Sequence, residues 1–220
     1  MKATKLIFIF LFPIYCSCGQ KVHHKVDPLA VRLNDQAIGL MMTSSGNKDS
    51  SIKAIVLLDS ATKIDSNYFQ GYYNKLILVN EQHMYDKGIQ TVNHLIRINP
   101  NANELYLTAG MLHVKTKDSA MANTYFKKSL SICNSVLDTM NESNKSYFIL
   151  TMNKAIDIIL LGDSTKGNHM LTQLYNKQND DAYKQLLVPF LNKGKREIIE
   201  EAFNPKPVTS TVESLPDSDN

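Results

Sequence analysis

The feature that most constrains this chain is a repetition of residue types every 34 positions. The columns that keep this spacing are Ala54, Gly88 and Ala122; Leu58, Val92 and Phe126; Ile64, Ile98 and Ile132; and Ile38, Tyr72 and Tyr106. A fixed period of this length indicates a solenoid, in which each unit buries its apolar stripe against the next unit. Gly and Pro number only 9 and 7 among 220 residues, which favours helices over a many-turned β fold. The sequence therefore predicts an all-α array of stacked units.

The two central units resemble the tetratricopeptide repeat family. Gly71-Tyr72 through Asp86-Lys87-Gly88 to Asn99-Pro100-Asn101 follows the helix–turn–helix pattern of that family without a gap. Glu104-Leu105-Tyr106 through Ala122 to Phe126 follows it again, and the resemblance extends over residues 34 to 180. It implies an α-solenoid of about three to four antiparallel helix pairs. Small residues such as Gly88 and Gly110 then lie where helices cross at close range.

A fourth unit and a C-terminal cap are expected after the third repeat. Gly162-Asp163 is its predicted turn, but Gly167 lies 45 residues after Ala122, so we expect the preceding helix to extend to about Met140. Two capping helices should follow, over residues 180 to 191 and 195 to 203, with Pro189 kinking or restarting the first of them. The second is amphipathic, with Ile198, Ile199, Ala202 and Phe203 on one side.

The N-terminus predicts export and a lipid anchor. Lys2 and Lys5 precede a ten-residue apolar run, 6–15, which is too short to span a bilayer but is typical of a secretory signal. Cys16-Ser17-Cys18-Gly19 follows and resembles the lipobox of bacterial lipoproteins, which implies acylation of Cys18 after removal of residues 1–17. Tyr15 stands where that pattern usually has Leu. An ordinary secretory signal with an incidental cysteine is the alternative.

These signals divide the chain into four parts. Residues 1–17 are the signal peptide, 18–26 the lipidated tether, 27–203 the helical array with its cap, and 204–220 a tail. The array should begin at Asp27-Pro28, because Asp is a good N-cap acceptor and Pro fits the first helical position. The tail contains prolines and acidic residues with little to bury, so disorder is expected there.

Recognisable catalytic motifs are missing from the sequence. It contains no phosphate-binding glycine loop, nucleophile elbow, His-Glu-x-x-His motif or paired cysteine ligands. We therefore expect no enzyme activity, no cofactor and no small-molecule substrate. His23-His24 is a weak metal-site candidate, and a polar piece of tether is the other interpretation. Cys133, the only thiol left after lipidation, is interpreted as a small hydrophobe at a helix end.

Nucleic acid is not an expected partner. Without Lys2 and Lys5 the chain has 22 basic residues against 21 acidic ones, so its net charge is close to zero. Binding to nucleic acid needs Lys and Arg clustered on one face. The sequence shows no such cluster.

The family resemblance also implies a partner-binding groove lined by the first helix of each unit. Carried over position by position, the groove comprises Gln70, Tyr73, Ile77, Asn80 and Glu81 from one unit and Glu104, Leu107, Met111, Val114 and Lys115 from the next. Some family members clamp a C-terminal carboxylate there with Lys and Asn, but this chain has apolar residues at those positions. A mixed apolar groove suits an amphipathic helix or a hydrophobic peptide. The alternative is that the chain fills the groove itself, since Met152 and Ile156 are also apolar and the capping helices need a surface to pack on.

The expected function is that of a membrane-anchored adaptor or scaffold for protein partners in the bacterial cell envelope. An outer-membrane location facing the periplasm follows from the lipoprotein resemblance, because Gly19 is not the aspartate that often retains lipoproteins at the inner membrane. Two other functions stay open. One is an assembly lipoprotein of the outer membrane or of a secretion machinery, and the other is an immunity protein that binds a toxin.

Overall fold

The computed structural model describes residues 24–43 and 47–204, and within these ranges the chain forms ten α-helices and one 3₁₀ turn. Cys18 and residues 205–220 lie outside the described residues. The helices are α1 Pro28–Thr43, α2 Lys48–Ile64, α3 Phe69–Glu81, α4 Tyr85–Ile98, α5 Asn103–Lys115, α6 Ser119–Leu137, α7 Lys145–Leu160, α8 Ser164–Lys177, α9 Asp181–Leu187 and α10 Lys195–Phe203. The 3₁₀ turn is Val188–Phe190 and contains Pro189. The predicted break at this proline is therefore confirmed.

The helices pack as consecutive antiparallel pairs. α1 packs on α2, α3 on α4, α5 on α6 and α7 on α8, and each pair also contacts the next one along the chain. The first helices of successive units meet as well, α1 with α3 and α5 with α7. The short helix α10 returns to pack on α7 and on the 3₁₀ turn. The predicted all-α, repeat-like array is therefore confirmed.

Two of the sequence columns form the contacts within the pairs. Ala54 and Ala122 are completely buried, and Gly88 and Gly167 occupy the same position in their units. One helical turn later, Leu58, Val92, Phe126 and Leu171 are all 0% exposed. The fourth unit therefore keeps the register of the other three despite its longer spacing. The isoleucine column has a different position, since Ile64 ends α2 and is 41% exposed.

The extra residues before the fourth unit lie partly in a longer α6 and partly in the loop that follows it. α6 has 19 residues against 14 in α4, but it ends at Leu137 rather than at the expected Met140. A turn follows in which the Asn141 side chain accepts hydrogen bonds from the backbone N–H and hydroxyl of Ser143, both at 2.9 Å. Asn144 then caps α7 by accepting from the N–H of Ser146 at 2.9 Å. The polar turn therefore ends α6 early, because these side chains offer the backbone an alternative to the helix.

Aspartates set several helix starts. Asp27 Oδ1 accepts from the N–H of Leu29 at 2.7 Å, directly before Pro28 at the first position of α1. Asp118, Asp163 and Asp180 accept in the same way at the starts of α6, α8 and α9. The turn before α8 contains Gly162 at φ +114°, a conformation in which glycine is at ease and other residues are strained. This confirms the predicted Gly162-Asp163 turn.

The chain just before α1 is bound to the end of the first unit. Asp65, whose side chain is only 6% exposed, contacts Nε2 of His24 through both of its oxygens, at 2.7 and 2.8 Å. It also accepts from the N–H groups of Asp27 and Asn67, each at 3.0 Å. Burial raises the pKa of Asp65, but these hydrogen bonds and the charge of His24 outweigh burial and lower it. His24 therefore has a structural contact, and His23 lies outside the described residues.

Candidate partner-binding face

The predicted groove residues lie on two neighbouring first helices. Tyr73 and Ile77 are one turn apart on α3, and Leu107 and Met111 stand 34 residues later on α5. Because residues four apart share one side of a helix, each set forms a stripe. We call the surface that carries Gln70, Tyr73, Ile77, Glu104, Leu107, Met111 and Lys115 the first-helix face.

The α3 part of this face is partly open and is tied to α1 by amide groups. Gln70 is exposed and donates from Nε2 to Asn74 Oδ1 at 2.9 Å. Asn74 in turn donates from Nδ2 to Asn34 Oδ1 at 2.7 Å, a buried bond between α3 and α1. Tyr73 and Ile77 are half-buried, and the ring of Tyr73 stacks on Phe69 with centroids 6.1 Å apart. The sequence reasoning missed Asn34 and Asn74.

The α5 part contributes two residues to the interior of the protein. Leu107 is 3% and Met111 is 4% exposed. Both belong to the apolar cluster that contains Ile156 of α7 and Ile198 and Ile199 of α10. They offer no surface to a partner while these helices are in place. This is the arrangement in which the chain covers part of the groove itself.

Lys115, the last of the predicted groove residues, binds α10. Its Nζ donates to Glu200 Oε1 at 3.3 Å and lies 5.4 Å from the ring centroid of Phe203 and 5.5 Å from that of Tyr85. The rings of Tyr85 and Phe203 meet edge to face at 5.5 Å. The hydrogen bond and charge of Lys115 help to lower the pKa of Glu200. Lys115 is therefore occupied within the chain, although the family resemblance places it in the partner-binding groove.

Two residues of the first-helix face, Glu104 and Tyr73, have raised pKa values. Burial raises the pKa of Glu104. Burial, followed by the negative charge of Glu104, raises the pKa of Tyr73 to about 12. The side-chain amide of Asn103 is satisfied when its nitrogen faces acceptors and its oxygen faces donors. In that orientation Nδ2 donates to Glu104 Oε2 at 3.1 Å, and Oδ1 accepts from Asn153 Nδ2 at 3.0 Å. Glu104 is thus a largely desolvated carboxyl group whose charge acts on the phenol of Tyr73.

A second buried polar group lies between α6 and α7. Asp157 of α7 is 0% exposed, and burial raises its pKa. Burial also raises the pKa of Cys133, with further contributions from the charges of Asp157 and Glu104. A thiol with a raised pKa stays protonated and is a poor nucleophile. Cys133 is free and completely buried in the last turns of α6, which agrees with its interpretation as a small hydrophobe at a helix end.

Residues 24–43 and 47–204 contain no group of three or more His, Cys, Asp or Glu side chains that could hold a metal ion. In the same two ranges, every helix is too short or too polar to cross a membrane.

Comparison with known proteins gave no relative, since no protein-family model matches the chain and no curated protein is significantly similar to it. The helical array is established by the packing of its helices. The resemblance to the tetratricopeptide repeat family is one of residue pattern in the two central units.

Proposed function

We propose that this chain is a tetratricopeptide-type lipoprotein, anchored through Cys18, that binds a protein partner on its first-helix face in the bacterial cell envelope. The observation that carries the proposal is that α10 closes only one end of this face. At the other end Gln70 is exposed and Tyr73 and Glu104 are partly exposed. A rigid array of stacked helices with a partly open, partly apolar face is suited to hold a segment of another protein.

The repeat assignment is supported by the buried columns. Four units place a small residue and a large apolar residue four positions apart at matching buried sites, as in Ala122 and Phe126 or Gly167 and Leu171. This is the arrangement that the family resemblance implies for closely packed helix pairs. The adaptor role follows from the resemblance rather than from any chemistry at the face.

The anchor is supported by the N-terminal sequence. Five residues, 19–23, separate Cys18 from His24, the first residue that the structure describes, and His24 contacts Asp65 of the array. The steps from Cys18 to His24 span at most about 20 Å in a fully extended chain. Acylation of Cys18 would therefore hold the first unit close to the membrane, with an outer-membrane location facing the periplasm as the proposed site.

Replacing the lipid-bearing cysteine tests the anchor directly. We expect Cys18→Ala to move the protein from the membrane fraction to the soluble fraction, or to leave it unprocessed. Each buried methylene of an acyl chain contributes about 0.8 kcal/mol, and more than one chain gives stable attachment. The measurement is fractionation of cells with a carbonate wash. Cys16→Ala is the matched control and should stay with the membrane; a processed Cys18→Ala protein that also stays there would contradict the lipid anchor.

A further inference from the structure

The tether leaves the helical array at a fixed point. Both oxygens of the Asp65 side chain contact Nε2 of His24, at 2.7 and 2.8 Å, and the same side chain accepts from the N–H of Asp27 at 3.0 Å. Asp65 directly follows α2, so the chain towards Cys18 departs beside the end of this helix. We call the surface formed by residues 24–29 and 63–67 the tether corner.

The tether corner carries exposed apolar side chains. Ile64, the last residue of α2, is 41% exposed. It lines a shallow depression together with Val26 and Pro28, and Pro28 is exposed as well. Leu29 is 42% exposed, and its N–H donates to Asp27 Oδ1 at 2.7 Å. Apolar surface therefore lies next to the point at which the tether begins.

This exposure is particular to the first unit. In the isoleucine column, Ile98 and Ile132 are half-buried, whereas Ile64 is exposed. Most of the large hydrophobic side chains that are exposed within residues 24–43 and 47–204 also belong to α1 or α2: Leu29, Val31, Met42, Val56 and Ile64. Exposed apolar side chains that are grouped, rather than scattered singly, indicate a contact surface.

The length of the tether brings this corner close to the membrane. Five residues separate Cys18, the proposed lipid site, from His24. Even a fully extended chain spans at most about 20 Å over these steps, and any bend shortens the distance. A short tether raises the effective concentration of the corner at the lipid surface. A small apolar contact is then enough to keep the corner there.

The charged side chains of the tether corner balance one another. Lys25 and Lys63 are exposed, as is Asp27, while Asp65 is buried against His24. A lysine can lay its methylene stem along an apolar surface while its ammonium group stays in water. The contact therefore depends on the apolar side chains and does not need acidic lipid.

We propose that the tether corner lies against the lipid surface of the membrane, with Ile64 and Leu29 in contact with the interfacial region of the bilayer. The lipid anchor holds the corner there, and the apolar contact gives the first unit a preferred orientation. This inference rests on the proposed anchor at Cys18 and adds a second, non-covalent contact with the same membrane.

Tryptophan fluorescence tests this contact, because the chain contains no Trp and one substitution gives a single probe. Ile64→Trp places the probe in the tether corner. Met121→Trp is the matched control, since Met121 is 40% exposed but lies on α6. The lipidated full-length proteins are reconstituted into phosphatidylcholine vesicles with or without bromine on the acyl chains, which quenches tryptophan only at short range. We expect brominated lipid to remove a large part of the emission of Ile64→Trp and to leave that of Met121→Trp unchanged.

A second substitution tests whether apolar side chains make the contact. Adding Leu29→Glu to Ile64→Trp should reduce the quenching, because a charged side chain is costly to remove from water. All variants should keep the thermal midpoint of the wild type, since each of the three positions is exposed. Undiminished quenching in the double variant would contradict contact through Leu29.

The other outcomes separate the corner from the anchor. Equal emission of Ile64→Trp in the two kinds of vesicle, in protein that floats with them, would overturn the inference and leave the anchor intact. Equal quenching of Ile64→Trp and Met121→Trp would overturn it too, because the array would have no preferred side. Emission of Ile64→Trp that changes with protein density but not with bromine would show two copies packed corner to corner instead. Failure of both proteins to float with the vesicles would contradict the anchor, and the inference with it.

Discussion

Gly110→Leu should destabilise the protein by about 3 kcal/mol, the upper part of the range for overpacking a core. A Cβ atom at position 110 would overlap the ring of Phe126, with even the more distant Cζ only 3.0 Å away. Phe126 is 0% exposed and lies among packed neighbours, so the ring has little room to move. In a domain of this size the thermal midpoint should fall by roughly 6–12 °C. Circular dichroism melts measure this directly.

Gly39→Leu is the matched control for this substitution. Gly39 also lies within a helix, α1, but a Cβ atom there would meet nothing within 4 Å. Because Leu is a better helix former than Gly, the control should be neutral or more stable by up to about 1 kcal/mol. Gly88→Leu should lie between the two, since its closest contacts are the side chains of Asn80 and Leu112 rather than a ring. Equal midpoints for Gly110→Leu and Gly39→Leu would show that the register of the pairs is wrong.

Leu107→Ala should cost about 2–5 kcal/mol, because it removes a large side chain from the cluster that joins α5, α7 and α10. Met111→Ala, one turn along, should cost a similar amount. Chemical denaturation at equilibrium measures both. These losses would occur in the isolated protein, with no partner present.

Gln70→Ala is the control on the exposed part of the same face. It should change the stability by only about 1 kcal/mol, because Gln70 is exposed and loses a single hydrogen bond, to Asn74. Stability of Leu107→Ala close to that of the wild type would mean that Leu107 is not in the core. The chain would then not cover its own face at this point.

The repeat register could be predicted because it depends on contacts between neighbouring helices. Each unit has the same close contact between its two helices, and this contact needs a small residue. Ala54, Gly88 and Ala122 therefore recur at one spacing. Helix starts were readable for a similar reason, since an N-cap such as Asp163 acts on its own first turn. Local rules of this kind leave a periodic or short-range signal in the sequence.

The state of the first-helix face could be predicted only in part. The sequence places Leu107 and Met111 on this face, but their burial depends on α7 and α10, which follow later in the chain. The amphipathic pattern of α10, with Ile198 and Ile199 on one side, predicts that this helix packs on another part of the protein but does not show on which part. The hydrogen bond between Asn34 and Asn74 also could not be predicted from the repeat, because these residues are 40 positions apart and so do not belong to one 34-residue column.

Site-specific photocrosslinking in intact cells tests the partner-binding proposal most directly. A benzophenone amino acid is introduced at Gln70, which is exposed on the first-helix face, or at Lys127, which is exposed on α6, the second helix of its unit. Both variants should be membrane-bound and equally folded, because neither side chain is buried. The proposal predicts a discrete crosslinked product from position 70 and none from position 127. No product from position 70, or the same products from both positions, would contradict binding through the first-helix face.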